Sequence, residues 1–410
     1  MMTFDRHQLS PNPFRPGMGL EPIYLADRAP QLARFKHYLA GFPGLPRNVR
    51  VTGLRGVGKT VLLQQYGRLA EEAGWIVVGR ECNEHLQEES IFGQALVEDC
   101  RRAVEQSSRA LAIRQRSQEV ARQALDLLGS FTISLAGVTV AVQPRTRPAR
   151  IPQLEEQLFT SLRLACESAL AAGRPGVLLS WDEAHVLRDS ANHRQLPLGL
   201  FLAVLARAQR EGMPVMLVLC GLPTLTDNLA RAKSYSERMF QAEELGQLRP
   251  PEDMLAFTKP LELSGRKFDA EMARAVLQVT GAYAFHIQFV GALLWDAVEW
   301  PLKITKADFD QHRLTILEAL DGAFFEARLA RTSGTERSLL RAMAASGESA
   351  QIHNVLKLTR LPNQTAQQLI ARLRDKGLIY RPQRGLLAFT VPLFGDYLRR
   401  ASRITSRGPA

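Results

Sequence analysis

A chain of 410 residues, 46% hydrophobic and 23% charged, has room for two to three domains and enough apolar residues to pack a core. No apolar run is long enough for a transmembrane helix, and Met1 to Pro16 is polar and proline-rich with no signal-peptide core, so the sequence predicts a cytoplasmic protein without a membrane partner. Cys82, Cys100, Cys166 and Cys220 are scattered with no CxxC pair, which argues against a zinc site or a disulfide framework.

Charge is uneven along the chain. Of the net +11, +10 falls between Arg331 and Ala410. A basic end on a near-neutral body predicts an acidic partner, with nucleic acid first, or else a merely solvated basic surface.

Asn12-Pro13-Phe14-Arg15-Pro16-Gly17 reads as an irregular entry, followed by a helix over Gln31 to Leu39. Asn48 to Thr52 reads as a short buried strand and Val61 to Tyr66 as the opening of a helix. Between them lies Gly53-Leu54-Arg55-Gly56-Val57-Gly58-Lys59-Thr60, which fits G-x-x-x-x-G-K-[ST]. The chemistry explains the residue types. Glycines let successive N–H groups wrap an anion, and the helix N-terminus adds positive potential. Lys59 reaches the β- and γ-phosphates, and Thr60 offers its hydroxyl to Mg²⁺. The expected nucleotide contacts are Gly53, Arg55, Gly56, Val57, Gly58, Lys59, Thr60 and Val61.

Trp75 to Val78 predicts the next strand. A helical stretch from Glu89 to Leu128 follows, with a break expected near Ser107. Phe131 to Val142 alternates with period two around Ala136-Gly137 and predicts a β-hairpin inserted on the core. Pro144 to Pro152 reads as a linker. Gly176 to Glu183 is an apolar strand ending in two acids, the Walker B pattern. Asp182 would hold a Mg²⁺-bound water, and Glu183 would orient or deprotonate the attacking water. Asp182-Glu183-Ala184-His185 also spells a helicase signature, but the chain lacks room for two tandem motor cores. Pro214 to Cys220 predicts another buried strand.

Pro251 to Lys303 reads as helical. From Phe324 the pattern changes: helices over Thr335 to Ala345, Gln351 to Leu358 and Asn363 to Lys376, then a hairpin from Leu378 to Val391. Gly377 suits a helix C′ position. Three helices and a hairpin predict a winged helix-turn-helix. Asn363, Gln364, Thr365, Gln368 and Arg372 on the third helix, with Arg381 and Arg384 on the wing, are the candidate DNA contacts. Packing on the ATPase or on a protein partner is the other use of such a module.

With these pieces in order, the chain resembles bacterial and archaeal AAA+ ATPases related to the origin-recognition initiators, and more distantly the STAND regulators. The resemblance rests on the Asn12 to Gly17 run, the P-loop, Walker B, Gly221-Leu222-Pro223, Lys233 to Arg238 and Phe389 to Phe394. Two departures stand out: Gly281-Ala282-Tyr283-Ala284-Phe285 lacks the usual proline, and His185 replaces a glutamine. The resemblance implies an α/β P-loop NTPase core over residues 1–250, a helical lid over 251–325 and a winged-helix domain over 326–410. It implies ATP and Mg²⁺ as ligands, with Lys59 and Glu183 catalytic. Thr224 is the implied γ-phosphate sensor, with Cys220 as runner-up. Arg238 stands where an arginine finger would, or in a surface ion pair with Glu237. Phe14, Ile23, Tyr24 and Arg28 are candidates for the base pocket, with ordinary packing the alternative for the aromatics. Two readings follow: an ATP-controlled binder of duplex DNA, and an ATP-dependent signalling scaffold that forms homo-oligomers. A kinase sharing the P-loop is the disfavoured third.

Overall fold

The computed structural model describes residues 11–42, 44, 47–113, 119–135, 154–193, 195–300, 302–347 and 349–406. Packing divides the chain into two compact units: residues 1–29, 53–61 and 245–410 form one, and residues 30–52 and 62–244 the other.

The second unit is built on a five-stranded sheet. After α1 (Ala29–Ala40) come β1 (Asn48–Gly53), α2 (Lys59–Glu72), β2 (Ile76–Glu81), α3 (Glu89–Ile113), α4 (Glu119–Leu135) and α5 (Leu154–Ala171). Then follow β3 (Val177–Asp182), α6 (Pro197–Arg210), β4 (Val215–Gly221), α7 (Thr224–Ala232), α8 (Ser236–Met239) and β5 (Phe240–Leu245). The strand order is β2-β3-β4-β1-β5, with β2, β3, β4 and β1 pairing in parallel. Parallel strands covered on both faces must be apolar throughout, and every residue of β3 and β4 is buried. β1 and β3 flank β4 and point the same way, so their C-terminal ends share one edge of the sheet. That edge is where an open α/β sheet places its ligand.

Three expectations need correction. The first half of the expected hairpin is helical: α4 runs through Leu135, and Ala124, Leu128 and Phe131 recur at helical spacing in the core cluster. The short apolar run there fitted either period, and burial on one helix face decided it. Residues 136–142 lie outside the described residues. The break near Ser107 is absent: α3 continues to Ile113, and the buried Ser107 hydroxyl is satisfied by donating to the Ala103 carbonyl one turn back (2.8 Å). β5 is an unanticipated strand. Its sequence FQAEEL looks polar, yet Glu243 is buried and ion-paired with Arg34 at 2.5 Å.

The first unit holds two further cores. α9 (Glu252–Leu263), α10 (Ala270–Thr280), α11 (Ala284–Ala297) and α12 (Lys306–Asp321) enclose one, which also takes in Phe14 and Ala26. Phe14 stacks on Phe257 (5.4 Å between ring centres). Gly291 permits this approach, since a Cβ there would lie 2.5 Å from the Phe14 ring. A π-helical turn, Gly322–Glu326, then shifts the register. Phe324 packs edge-on against Phe285 and Phe289 of α11, while Phe325 enters the last core.

That last core lies within α13 (Ala327–Ala330), α14 (Gly334–Ala345), β6 (Ser349–Gln351), α15 (Ile352–Thr359), α16 (Asn363–Asp375), β7 (Ile379–Tyr380), β8 (Leu386–Phe389) and α17 (Phe394–Ser406). Helices α14, α15 and α16 precede the β7–β8 hairpin, and β6 adds a third strand in the order β6-β8-β7. No helix among the described residues is long and apolar enough to cross a membrane.

Candidate nucleotide site

Residues 54–58 form the loop between β1 and α2, and its backbone is one that only glycine permits in places. Gly56 has φ +79° and Gly58 φ +90°, in the left-handed region that costs other residues about 1–2 kcal/mol. Gly53 answers a different need, because a Cβ there would lie 2.4 Å from the Leu245 carbonyl oxygen.

Three carbonyls of this loop accept hydrogen bonds from protein donors. Lys59 Nζ donates to Leu54 O (3.0 Å), the Phe285 amide donates to Gly56 O (3.0 Å), and Arg28 Nη2 donates to Val57 O (2.8 Å). A loop that wraps an anion must keep carbonyl oxygens away from it, and these bonds hold three of them on protein donors. Lys59 is buried and Thr60 half-buried in the first turn of α2. A glycine-shaped cradle, a lysine folded into it and a helix N-terminus fit the phosphates of a nucleotide.

Arg28 is 3% exposed, and its Nη1 also donates to Asp27 O (2.7 Å). Asp27 has φ +53° and pairs with Arg249 (3.1 Å). Arg28, a base-pocket candidate in the sequence, braces the loop through these hydrogen bonds. Tyr24 bonds Glu252 (3.0 Å) and Phe14 lies in the helical core, so both are engaged in packing. Ile23 is partly exposed.

The loop also meets the C-terminal elements. The Arg55 amide donates to Thr390 O (3.2 Å). Gly377 faces the Arg55 guanidinium, so that a Cβ at Gly377 would lie 3.7 Å from Arg55 Nη2. Thr390 Oγ1 in turn donates to Gly377 O (2.5 Å). Arg328 joins this neighbourhood: burial lowers its pKa first, and the like charges of Arg55 and Arg331 lower it further.

The acidic end of β3 has its own geometry. Asp182 is 8% exposed, and its Oδ1 accepts the Glu183 amide (2.7 Å). The Cys82 amide donates to Asp182 O (2.9 Å), which fixes the strand end. Glu183 has φ +51° and ψ +25°, a left-handed conformation at a non-glycine residue. Such strain persists only where the surroundings impose it, and it clusters at working sites. Trp181, unusual in such a strand, is fully buried against Phe92 and Phe201, with the Arg80 guanidinium 5.7 Å from its ring centre.

The remaining expected residues are spread over other elements. Thr224 is the first residue of α7 and half-buried; Cys220 is fully buried in β4. Arg238 is exposed on α8. On α16, Ala366, Leu369, Ile370 and Leu373 face the core, leaving Asn363, Gln364, Thr365, Gln368 and Arg372 exposed. Arg384 is exposed in the β7–β8 turn. Arg381 is half-buried and donates to Gln367 Oε1 (2.7 Å), tying the hairpin to α16. Lys376 pairs with Glu336 (2.7 Å), which also caps α14.

Comparison with known proteins agrees with this picture. Residues 24–219 match the family described as an AAA ATPase domain, and residues 322–398 match a domain of unknown function (DUF8462). No curated protein sequence matches the chain. Among solved structures, the chain is similar to the Walker-type ATPase paby2304 of Pyrococcus abyssi, with 16% identity over 92% of this chain and 96% of that one and a TM-score of 0.53. It is also similar to the Aeropyrum pernix ORC2 protein solved as ADPNP–ADP complexes, with 12% identity, coverage of 95% and 99% and a TM-score of 0.49. The A. pernix ORC1 protein in complex with DNA follows, with 15% identity, coverage of 94% and 95% and a TM-score of 0.42. At such identity the likeness to the P. abyssi protein speaks to fold alone. The sheet is that of a P-loop AAA+ ATPase.

Proposed function

We propose that this AAA+-type chain is an ATP-hydrolysing switch whose nucleotide state controls a basic winged-helix module that binds duplex DNA. The observation that carries the coupling is the hydrogen bond from the Arg55 amide to Thr390 O (3.2 Å): the phosphate loop is tied directly to the module it would govern. Functionally the chain divides into a core over residues 1–250, a lid over 251–325 and the winged helix over 326–410.

The loop amides and Lys59 bind the phosphates, and Gly53, Arg55, Gly56, Val57, Gly58, Thr60 and Val61 line them. Thr60 and Asp182 are the residues to hold Mg²⁺, which when bound neutralises charge on the phosphates. Glu183 takes the proton of the attacking water, a role worth about 10²–10⁴ in rate. Thr224 reads the terminal phosphate, and Arg238 contributes positive charge, from a neighbouring copy if the chain assembles. Asn363, Gln364, Thr365, Gln368 and Arg372 enter a groove, with Arg381 and Arg384 on the backbone.

Duplex binding measured with and without ATP, over a salt series, tests this reading. Salt-sensitive binding that shifts with nucleotide is expected, weakened by Arg372→Ala and by Arg384→Ala. No measurable duplex affinity at low salt with ATP would sink it. The scaffold reading gains from Lys376 and Arg381, both engaged within the module. It expects nucleotide-dependent oligomers without DNA, and an unchanged monomer on sizing with ATP, ADP or neither would end it.

A further inference from the structure

The reading of Glu183 as proton acceptor leaves open what aims its carboxylate. The residue sits in a left-handed turn just beyond β3, with its side chain partly exposed at 29%. A flexible glutamate there would sample several rotamers, only some of which face a bound water. His185, two residues on, limits that choice. Its Nδ1 lies 3.3 Å from Glu183 Oε2.

His185 is itself clamped from two elements of the same unit. On one side is Gly221, at the end of β4. A Cβ at Gly221 would lie 2.9 Å from the His185 amide nitrogen, 3.1 Å from its Cβ and 3.3 Å from Nδ1, so only glycine leaves the imidazole its place. On the other side is Asn228 of α7, whose Nδ2 donates to His185 O (2.9 Å) and to Leu187 O (3.0 Å). The short 3₁₀ turn Ala184–Val186 is thereby fixed against the sheet and α7, and the ring is 13% exposed. A ring held on two sides, with one nitrogen beside a carboxylate, limits the positions that carboxylate can take.

We propose that His185 is a positioning residue for Glu183, its Nδ1 edge, 3.3 Å from Oε2, confining the carboxylate to the rotamer that serves proton transfer. It rests on the ATPase reading above and adds a residue to it. A carboxylate held in the productive rotamer loses no time to misdirected ones, and misplacement by about 1 Å costs on the order of 10²-fold. Glutamine can reach the same oxygen; alanine cannot.

Steady-state ATP hydrolysis by the full chain, beside binding of a fluorescent ATP analogue, tests this. His185→Ala should lower kcat about 10- to 100-fold while the KM for ATP and the analogue affinity stay within about twofold. His185→Gln should recover most of the rate. In a Glu183→Gln background, His185→Ala should change nothing further, because its effect runs through the glutamate. Gly221→Ala, which displaces the ring without altering it, should lower kcat in the same way and covers the case in which His185→Ala does not fold. A kcat that is unchanged or raised in His185→Ala, or a loss that persists in the Glu183→Gln background, overturns the proposal. If the wild-type chain hydrolyses no ATP, the ATPase reading falls and this falls with it. Hydrolysis abolished by Glu183→Gln yet indifferent to His185→Ala sinks this inference alone.

Discussion

The phosphate loop and the acidic end of β3 carry comparable chemistry but are held in opposite ways. The end of β3 is fixed by near neighbours in the sheet and its flanking turns: Cys82 just beyond β2, Gly221 on β4 and Asn228 on α7. The loop is fixed by residues remote in sequence: Arg28 before α1, Phe285 on α11 and Thr390 beyond β8. A site held by its own sheet is rigid and local. A loop held by distant segments transmits whatever happens in it, because a change in its backbone must be felt by each partner. On the proposed function, the first region supplies the chemistry and the second the communication.

The largest expected effects separate those two roles. Glu183→Gln should lower ATP hydrolysis by about 10²–10⁴ while leaving ATP binding in place. Lys59→Ala should remove binding itself. Isothermal calorimetry beside a phosphate-release assay distinguishes them, and equal loss of binding in both variants would erase the contrast.

His286 gives the next effect, on the helical core that supports Phe285. It is 2% exposed, its Nδ1 lies 3.4 Å from Thr280 O, and burial lowers its pKa to about 4. The folded state therefore holds the ring neutral while the unfolded chain takes up a proton below about 6.5. The contribution to stability is complete above that value and is lost as pH falls toward about 4, amounting to about 3 kcal/mol. Thermal midpoints between pH 7 and pH 4 should fall more steeply for the wild type than for His286→Phe; parallel curves would contradict this.

Arg28→Ala comes third. It removes a buried charged donor from Val57 O, at a cost of about 1–3 kcal/mol, and should weaken nucleotide binding without touching duplex affinity in the absence of nucleotide. Gly377→Ala comes last. With φ +63° it costs about 1 kcal/mol, and its methyl group would touch Arg55, 3.7 Å from Nη2. Gly385→Ala, at φ +86° with open space around it, is the matched control. Only the first should alter how nucleotide changes hydrogen exchange around Thr390; equal behaviour of the two would show that the Arg55 contact transmits nothing.

Much of this was legible before the fold. The loop from Gly53 to Thr60 and the acids at 182–183 are contiguous motifs whose chemistry needs adjacent residues, so they can be read from the sequence. The apolar face of α16 at Ala366, Leu369, Ile370 and Leu373 follows from period alone. Phe131 was misread because a few apolar residues fit a strand or a buried helix equally well. β5 was missed because a buried glutamate looks like a solvated one until its partner, Arg34, is known. Arg28 and His185 carried no signal of their roles, since each acts on a backbone or side-chain atom that only folding brings near.

Sequence by itself determined the local chemistry: which loop wraps phosphate, which acids end a strand, which end of the chain is basic. Glycine backbone freedom, carboxylate pairs and net charge are properties of residues and their immediate neighbours. Tertiary structure alone decided what restrains that chemistry: Arg28 on Val57, Thr390 on Arg55, and His185 wedged between Gly221 and Asn228 beside Glu183. Those contacts depend on crossings between segments as far apart in sequence as Arg55 and Thr390, and no local pattern encodes a distance that only tertiary packing sets.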